Sequence, residues 1–168
     1  MLAKNPKEVF VLMLSDARRS AERSADFYEQ ASEAAEDPEI KQALESRSFV
    51  SEQVLAKLDR CFKLIGEQPA KLSGRLEEVL LEDFRKELGE IQSPVARRLF
   101  VLARLHRHTQ FRVGEYMALT AMADLAGHHG VGVLLESCLG DKLAFVERNR
   151  RLLRKAAEEK IAARAAST

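Results

Sequence analysis

Apolar residues recur at steps of three and four along most of the chain, which is the spacing of an amphipathic α-helix. The longest such segment lies between Ser93, a helix N-cap followed by Pro94, and Gly127, a residue type that commonly ends a helix. Its predicted buried stripe consists of Leu99, Leu102, Ala103, His106, Gln110, Val113, Met117, Thr120, Ala121 and Leu125. A helix of this length, about 50 Å, needs partners of similar length to cover that stripe.

Three other long segments supply those partners. Caps and helix breakers predict helices at about 6–36, 38–65, 75–88, 94–126 and 131–162, all within a single domain, residues 1–168. Asp37-Pro38 and the turn 127–130 are short connections that favour antiparallel hairpins, whereas the connection 66–92 is long. Two helical hairpins joined by one long crossover are typical of a ferritin-like four-helix bundle. Because no segment alternates like a β-strand, the sequence predicts an all-α fold with a short extra helix in the crossover.

Composition narrows the class of protein. The chain is 46% hydrophobic and 32% charged, with no Trp, as expected of a soluble helical protein. Its 27 Lys and Arg balance 26 Asp and Glu, so no overall field attracts nucleic acid or an anionic membrane. The apolar run 9–14 is too short for a signal peptide or a membrane span. With two cysteines and no export signal, the sequence predicts a cytoplasmic protein with free thiols.

Cysteines and histidines are the reactive side chains outside this pattern. Cys61 and Cys138 lack CxxC spacing, and we interpret them as small core residues rather than a redox pair. His106 and His108 lie on different faces of one helix and cannot chelate one ion together, and His108 with Glu115 is a weak pair. The histidines at 128–129 indicate a polar turn, with adventitious nickel or zinc capture as the alternative.

The C-terminal segment, residues 148–168, is locally basic. We interpret these cations as the end of the last helix, because positive charges interact favourably with the C-terminal end of a helix dipole. The alternative is contact with an acidic partner or nucleic acid, but no aromatic residues are interleaved for base stacking.

Five motifs, spread over the four long helices, point to a known family. They are LSDARRSAERS in the first helix, DPEIKQALESRS and LDRCFKLIGEQP at the two ends of the second, GEYMALTAMADLAG in the third and LLESCLGDK in the fourth. With them the chain resembles the ferritin-like bacterial stress-associated family typified by YciF and YciE, over about residues 9–153. The resemblance implies a site for two iron or manganese ions, held by inward carboxylates and histidines. Here the corresponding positions are Ala21, Val50, Val54, Thr109, Gln110, Phe111, Arg112, Asp141 and Lys142.

Most of these positions have lost their ligating side chains. Only Asp141 keeps a carboxylate, while Arg112 and Lys142 are cationic and would repel a divalent metal. The resemblance therefore implies a ferritin-like scaffold without a working dimetal centre, and the sequence predicts no catalytic, cofactor-binding or metal-binding residue. We expect Arg112, and as a second candidate Lys142, to pair with Asp141 inside the former cavity. The alternative is that both cations lie one step off the inner stripe and reach solvent.

The resulting functional prediction is a non-catalytic bundle that acts through association, with a structural, interaction or stress-associated role. The resemblance implies a homodimer formed by pairing hairpins, and the balanced charge predicts no nucleic acid or membrane as partner. The chain has more apolar residues than one buried stripe per helix needs, and the extra ones could form the dimer interface: Phe10, Val11, Leu12, Phe27, Phe49, Phe100 and Val101. The alternative is that the crossover helix 75–88 covers some of them.

Two other functions remain open at this point. A di-iron or di-manganese oxidase, peroxidase or iron-handling protein would need ligands among Glu22, Glu52, His108, Glu115, Glu136 and Asp141. A carrier of a small hydrophobic ligand in the emptied bundle core is possible, but no specific residue supports it.

Overall fold

A computed structural model describes residues 5–34, 37–72 and 75–165. Within these ranges the chain forms five helices: α1 (Pro6–Ala34), α2 (Pro38–Ile65), α3 (Arg75–Glu90), α4 (Pro94–Leu125) and α5 (His129–Ala165). The described residues contain no strand, and no helix among them is long and apolar enough to cross a membrane. The predicted all-α fold is confirmed.

Local capping explains why α2 has the predicted bounds. The Asp37 side chain accepts hydrogen bonds from the backbone N–H groups of Glu39 and Ile40, and Pro38 occupies the start of the helix. At the other end Gly66 adopts φ +69°, and its N–H donates to the carbonyl of Phe62. Both ends of α2 are therefore marked in the sequence by residues that start or end a helix.

The remaining helix bounds differ slightly from the prediction. The N-terminus of α5 lies at His129 rather than 131, because the His128 carbonyl accepts from the N–H groups of Val131 and Gly132 and starts the helix there. Helix α5 extends to Ala165, beyond 162, while α3 is two residues longer than predicted and α4 one residue shorter. Residues 35–36 of the predicted first helix and residues 166–168 of the basic tail lie outside the described residues.

The helices form two hairpins, α1–α2 and α4–α5, joined by the long connection that carries α3. The hairpins pack with α1 against α4 and α2 against α5, while α3 contacts α1 and α4. Helices α2 and α5 run antiparallel, since Glu39 near the start of α2 pairs with Lys155 late in α5. This is the ferritin-like arrangement that the sequence predicts.

Two apolar clusters fill the bundle. One lies at the end that holds the α4–α5 turn and includes Phe10, Leu14, Leu58, Leu119 and Leu135. The other lies at the opposite end and includes Phe27, Leu44, Phe84, Leu102 and Leu152. Between them lie most of the buried polar and charged side chains: Ser20, Ser24, Arg47, Ser51, Thr109, Arg112 and Lys142. This intermediate region is called the polar layer below.

The predicted stripe of α4 is wrong in its rotation about the helix axis for most residues, and only Leu102 and Val113 of it are buried as predicted. Met117 is 58% exposed and Leu125 is 89% exposed, and Ala103, Gln110 and Ala121 also face solvent. The buried stripe is instead Val101, Leu102, Leu105, Thr109, Arg112, Val113, Tyr116, Leu119 and Ala123. Apolar residues occur on more than one face of α4, so their spacing alone did not fix which face is buried.

Most of the residues predicted to form a dimer interface lie in the core instead. Phe10, Val11, Phe27 and Val101 are buried, Leu12 and Phe100 are partly buried, and of the set only Phe49 is largely exposed. The crossover helix accounts for part of this difference, because Phe84 of α3 packs on Phe27 and Phe100 with ring centres 5.3 and 5.8 Å away. That outcome was the stated alternative.

Candidate functional site in the buried polar layer

Three cations from three helices lie in the polar layer. Arg47 of α2 and Arg112 of α4 are each 3% exposed, and Lys142 of α5 is 6% exposed. The hydroxyls of the layer are largely satisfied within their own helices; for example, Ser51 donates to the carbonyl of Arg47. The electrostatics of the layer are therefore governed by the cations and the carboxylates near them.

Arg112 is paired with two carboxylates. Its guanidinium Nη1 lies 2.9 Å from Glu115 Oε2 on the same helix, and Nη2 lies 3.5 Å from Glu77 Oε1 on α3. Glu77 also accepts a hydrogen bond from the Ser20 hydroxyl of α1. Burial raises the pKa of Glu115 to about 7, although Arg112 acts in the opposite direction. The carboxylates that neutralise Arg112 thus come from α4 and from the crossover.

Lys142 lies against an aromatic ring instead of a carboxylate. Its Nζ is 4.5 Å from the ring centre of Tyr116, within the range of a cation–π interaction. Burial lowers the pKa of Lys142 to about 7, and the positive charges of Arg47 and Arg112 lower it further in the same direction. Burial also raises the pKa of the Tyr116 hydroxyl well above its ordinary value.

Arg47 forms no ion pair with any described residue. Its guanidinium lies 5.6 Å from the ring centre of Tyr28 and 5.2 Å from that of Phe145. Its Nε donates a long hydrogen bond, 3.5 Å, to the Tyr28 hydroxyl. Arg47 falls on the predicted buried stripe of α2, at a four-residue step from Ala43, but no functional role was predicted for it.

The predicted pairing of Arg112 or Lys142 with Asp141 is wrong. Asp141 is partly exposed, and its carboxylate lies 2.9 Å from Lys57 Nζ of α2. One residue of helix corresponds to about 100° of rotation, so Asp141 faces the α2 side while Lys142 points into the bundle. The alternative in which both cations reach solvent is wrong too, because Arg112 and Lys142 are buried.

The other former ligand positions are divided between core and surface. Ala21 and Val54 are buried in the first apolar cluster, with Val50 packed against it. Thr109 is buried in the polar layer, and its hydroxyl donates to the carbonyl of Leu105. Gln110 and Phe111 face solvent.

The ligands required by the alternative metal enzyme are not brought together. Glu22, Glu52 and Glu136 are exposed, whereas His108 and Glu115 lie inside the bundle. Among residues 5–34, 37–72 and 75–165, no group of three or more His, Cys, Asp and Glu is placed to hold a metal ion.

His108 borders the layer as a neutral group. Its ring lies 4.8 Å from that of Phe27, and both ring nitrogens are buried without a hydrogen-bond partner among the described residues. Burial lowers the pKa of His108 to about 3, and Arg112 and Lys142 act in the same direction. The ring of His128 stacks on Phe10, with 6.1 Å between centres.

The two thiols lie in the core, which confirms the prediction from the sequence. Cys61 and Cys138 are free and buried in the first apolar cluster. Burial raises the pKa of Cys61 to about 12 and that of Cys138 to about 11, so neither is a thiolate near neutral pH.

Three solved structures have the same fold as this chain. The E. coli stress protein YciF has a TM-score of 0.88 at 16% identity, covering 93% of this chain and 99% of YciF. YcfI, described as a putative structural protein from Rhodopseudomonas palustris, has a TM-score of 0.83 at 18% identity, covering 88% and 94% of the two chains. A protein from Xanthomonas campestris pv. campestris has a TM-score of 0.67 at 21% identity, covering 94% and 95%.

The sequence comparisons determine the family. A comparison with curated proteins finds no significant match. The model of the family described as "Domain of unknown function (DUF892)" matches residues 5–166, which is nearly the whole chain. The resemblance to YciF drawn from the helix motifs is thereby confirmed, and the chain belongs to the DUF892 family.

Proposed function

We propose that this protein is a metal-free, non-catalytic ferritin-like bundle that acts in the cytoplasm through association with other protein chains. A structural or stress-associated role agrees with the descriptions of two proteins of the same fold, a stress protein and a putative structural protein. The internal charges of the bundle are the feature that supports the absence of metal chemistry.

The supporting observation is the presence of Arg112 and Lys142 in the polar layer, at positions that the family resemblance assigns to metal ligands. The buried guanidinium of Arg112, and Lys142 when it is protonated, would repel a divalent ion at close range. The buried carboxylate Glu115 is already paired with Arg112 at 2.9 Å. In this proposal the guanidinium of Arg112 neutralises the inward carboxylates Glu77 and Glu115, which a metal ion would otherwise do.

Metal analysis tests the proposal directly. Tag-free protein, purified from cells grown with iron and manganese, is analysed by mass spectrometry, with a chelator-treated sample as the background. Because the layer offers cations rather than free carboxylates, we expect no more than about a tenth of an ion per chain. Two ions per chain would overturn the proposal and make oxygen and peroxide turnover the next assays.

Association is proposed to include a homodimer, and the end of the bundle near the α4–α5 turn offers apolar surface for it. Exposed apolar side chains at this end belong to four helices: Val9, Leu64, Leu125 and Val133. Exposed apolar side chains near one end of a bundle are candidates for a protein–protein contact.

Sedimentation analysis of the full chain tests the dimer. We expect a dimer that Leu125→Glu weakens by at least about tenfold, since a charge would be buried in the interface. Val95→Glu is the matched control, because Val95 is also exposed but lies at the opposite end of α4. A monomer at all concentrations would rule out the homodimer, and equal weakening by both variants would rule out this surface.

A further inference from the structure

A cleft of about 210 Å³ opens between α2 and α5 beside the polar layer. Arg47 and Arg148 contribute charge to its lining, and Val50, Ala144 and Phe145 contribute apolar surface. We propose that this cleft binds a small organic carboxylate, with the carboxylate group on Arg47 and the apolar body against Phe145.

Within the residues that the structure describes, Arg47 is a buried cation without a counter-charge, and this is the observation that points to a ligand. It is 97% buried yet has one long hydrogen bond, to Tyr28, and no ion pair among the described residues. A buried guanidinium is normally paired with a carboxylate, because removing its charge from water is costly. The rings of Tyr28 and Phe145 offset part of that cost. They offer no acceptor to the two Nη groups, so the fork of Arg47 is free to hold an anion.

The charges around the cleft favour an anion there. Glu77 and Glu115 both lie against Arg112, and neither forms an ion pair with Arg47. Lys142 is close enough to Arg47 for the two charges to lower the pKa of the lysine. Arg148 is exposed and forms no ion pair within the described part of the chain. The cleft therefore holds an excess of positive charge.

The shape and lining of the cleft indicate a carboxylate with an apolar body. A planar carboxylate matches the guanidinium fork with two parallel hydrogen bonds. Asp141, paired with Lys57, also lines the cleft and would oppose a doubly charged phosphate more than a singly charged carboxylate. A cavity of about 150 Å³ accommodates benzene, so this cleft has room for one ring and its carboxylate.

Benzoate is the probe, and benzamide is its uncharged counterpart of the same shape. The full-length protein is titrated with each, by calorimetry and by amide NMR shifts. We expect benzoate to bind at least about tenfold more tightly than benzamide, because only benzoate supplies the missing charge. Equal affinities, or no benzoate binding at millimolar concentrations, would overturn the proposal, as would tighter binding of inorganic phosphate than of benzoate.

Three variants locate the binding. Arg47→Met keeps the length and apolar contact of the side chain and should weaken benzoate at least about tenfold. Arg148→Met should weaken it several-fold, whereas Arg154→Met, an exposed control on the same helix with the same loss of charge, should not. Undiminished binding in Arg47→Met, or equal effects of the two α5 variants, would overturn the assignment.

Asp141→Asn keeps the proposal falsifiable if Arg47→Met does not fold. This variant removes the negative charge that lines the cleft and leaves both arginines in place. We expect benzoate to bind several-fold more tightly, because the repulsion of its carboxylate is removed. Unchanged or weaker binding would place the anion elsewhere.

Discussion

The guanidinium of Arg112 lies 2.9 Å from the carboxylate of Glu115, one turn further along α4, and both side chains are almost completely buried. Glu77 of α3 approaches the same guanidinium at 3.5 Å. The contact therefore joins the crossover helix to the bundle through charge as well as through the packing of Phe84 on Phe27. A cation between two carboxylates in a low-dielectric region is strongly coupled to both.

Removing both partners of this contact should cost less than the sum of the two separate losses. Arg112→Met leaves Glu77 and Glu115 buried without a counter-charge and should lower the free energy of unfolding by about 3–5 kcal/mol. Combining it with Glu115→Gln should cost less than the sum of the two single variants, because the unpaired charge is then removed as well. Urea unfolding of the four proteins in the cycle measures this, and strictly additive losses would contradict the coupling.

The fold was predictable because the ends of the helices carry local signals. The bounds of α2 follow from Asp37-Pro38 and Gly66, whose capping interactions involve residues close in sequence. The rotation of α4 did not follow, since apolar residues such as Met117 and Leu125 lie on its exposed face and mimic a core stripe. An error in this rotation misassigns the partner of every inward side chain.

The candidate site was predictable only in part, for the same reason. Arg112 and Lys142 could be identified because they replace ligand positions of a recognisable family. Their partners could not, since Glu77 reaches Arg112 from the crossover and the Tyr116 ring faces Lys142 from another helix. Contacts between distant segments leave no periodic trace in the sequence.

Asp141 should matter little for stability. Its ion pair with Lys57 is partly exposed, with side chains 35% and 26% accessible, and such pairs contribute at most about 1 kcal/mol. We therefore expect Asp141→Asn to change the melting temperature by no more than a few degrees. Thermal unfolding measures this, with Arg112→Met as the strongly destabilised comparison. A loss of several kcal/mol in Asp141→Asn would indicate that Asp141 pairs inside the bundle after all.

Both thiols should be unreactive in the folded protein. Cys61 and Cys138 are buried, and burial raises the pKa of each to about 12 and about 11, so little thiolate exists near neutral pH. Ellman's reagent should react slowly with the native chain. In urea, where the chain is unfolded, it should react readily with both thiols. A cysteine introduced by Ala118→Cys, at an exposed position of α4, is the positive control. Rapid reaction of the native protein would show that the first apolar cluster opens readily.

Stability should pass through a minimum near neutral pH because of Lys142 and Glu115. Burial lowers the pKa of Lys142 from 10.5 to about 7, so between these values the unfolded chain binds a proton that the folded chain does not, and stability rises with pH. Burial raises the pKa of Glu115 from 4.5 to about 7, so in that interval the folded chain holds the extra proton and stability falls as pH rises.

Two variants separate these opposing contributions. Lys142→Met should abolish the rise above pH 7, and Glu115→Gln should abolish the fall below it, because each removes one titrating group and leaves the other. Urea unfolding from pH 5 to pH 10 measures both limbs. A profile of Lys142→Met that still rises above pH 7 would assign that limb to another group. If the rise is lost, the buried charge of Lys142 destabilises the folded state below pH 7 by more than its contact with the Tyr116 ring offsets.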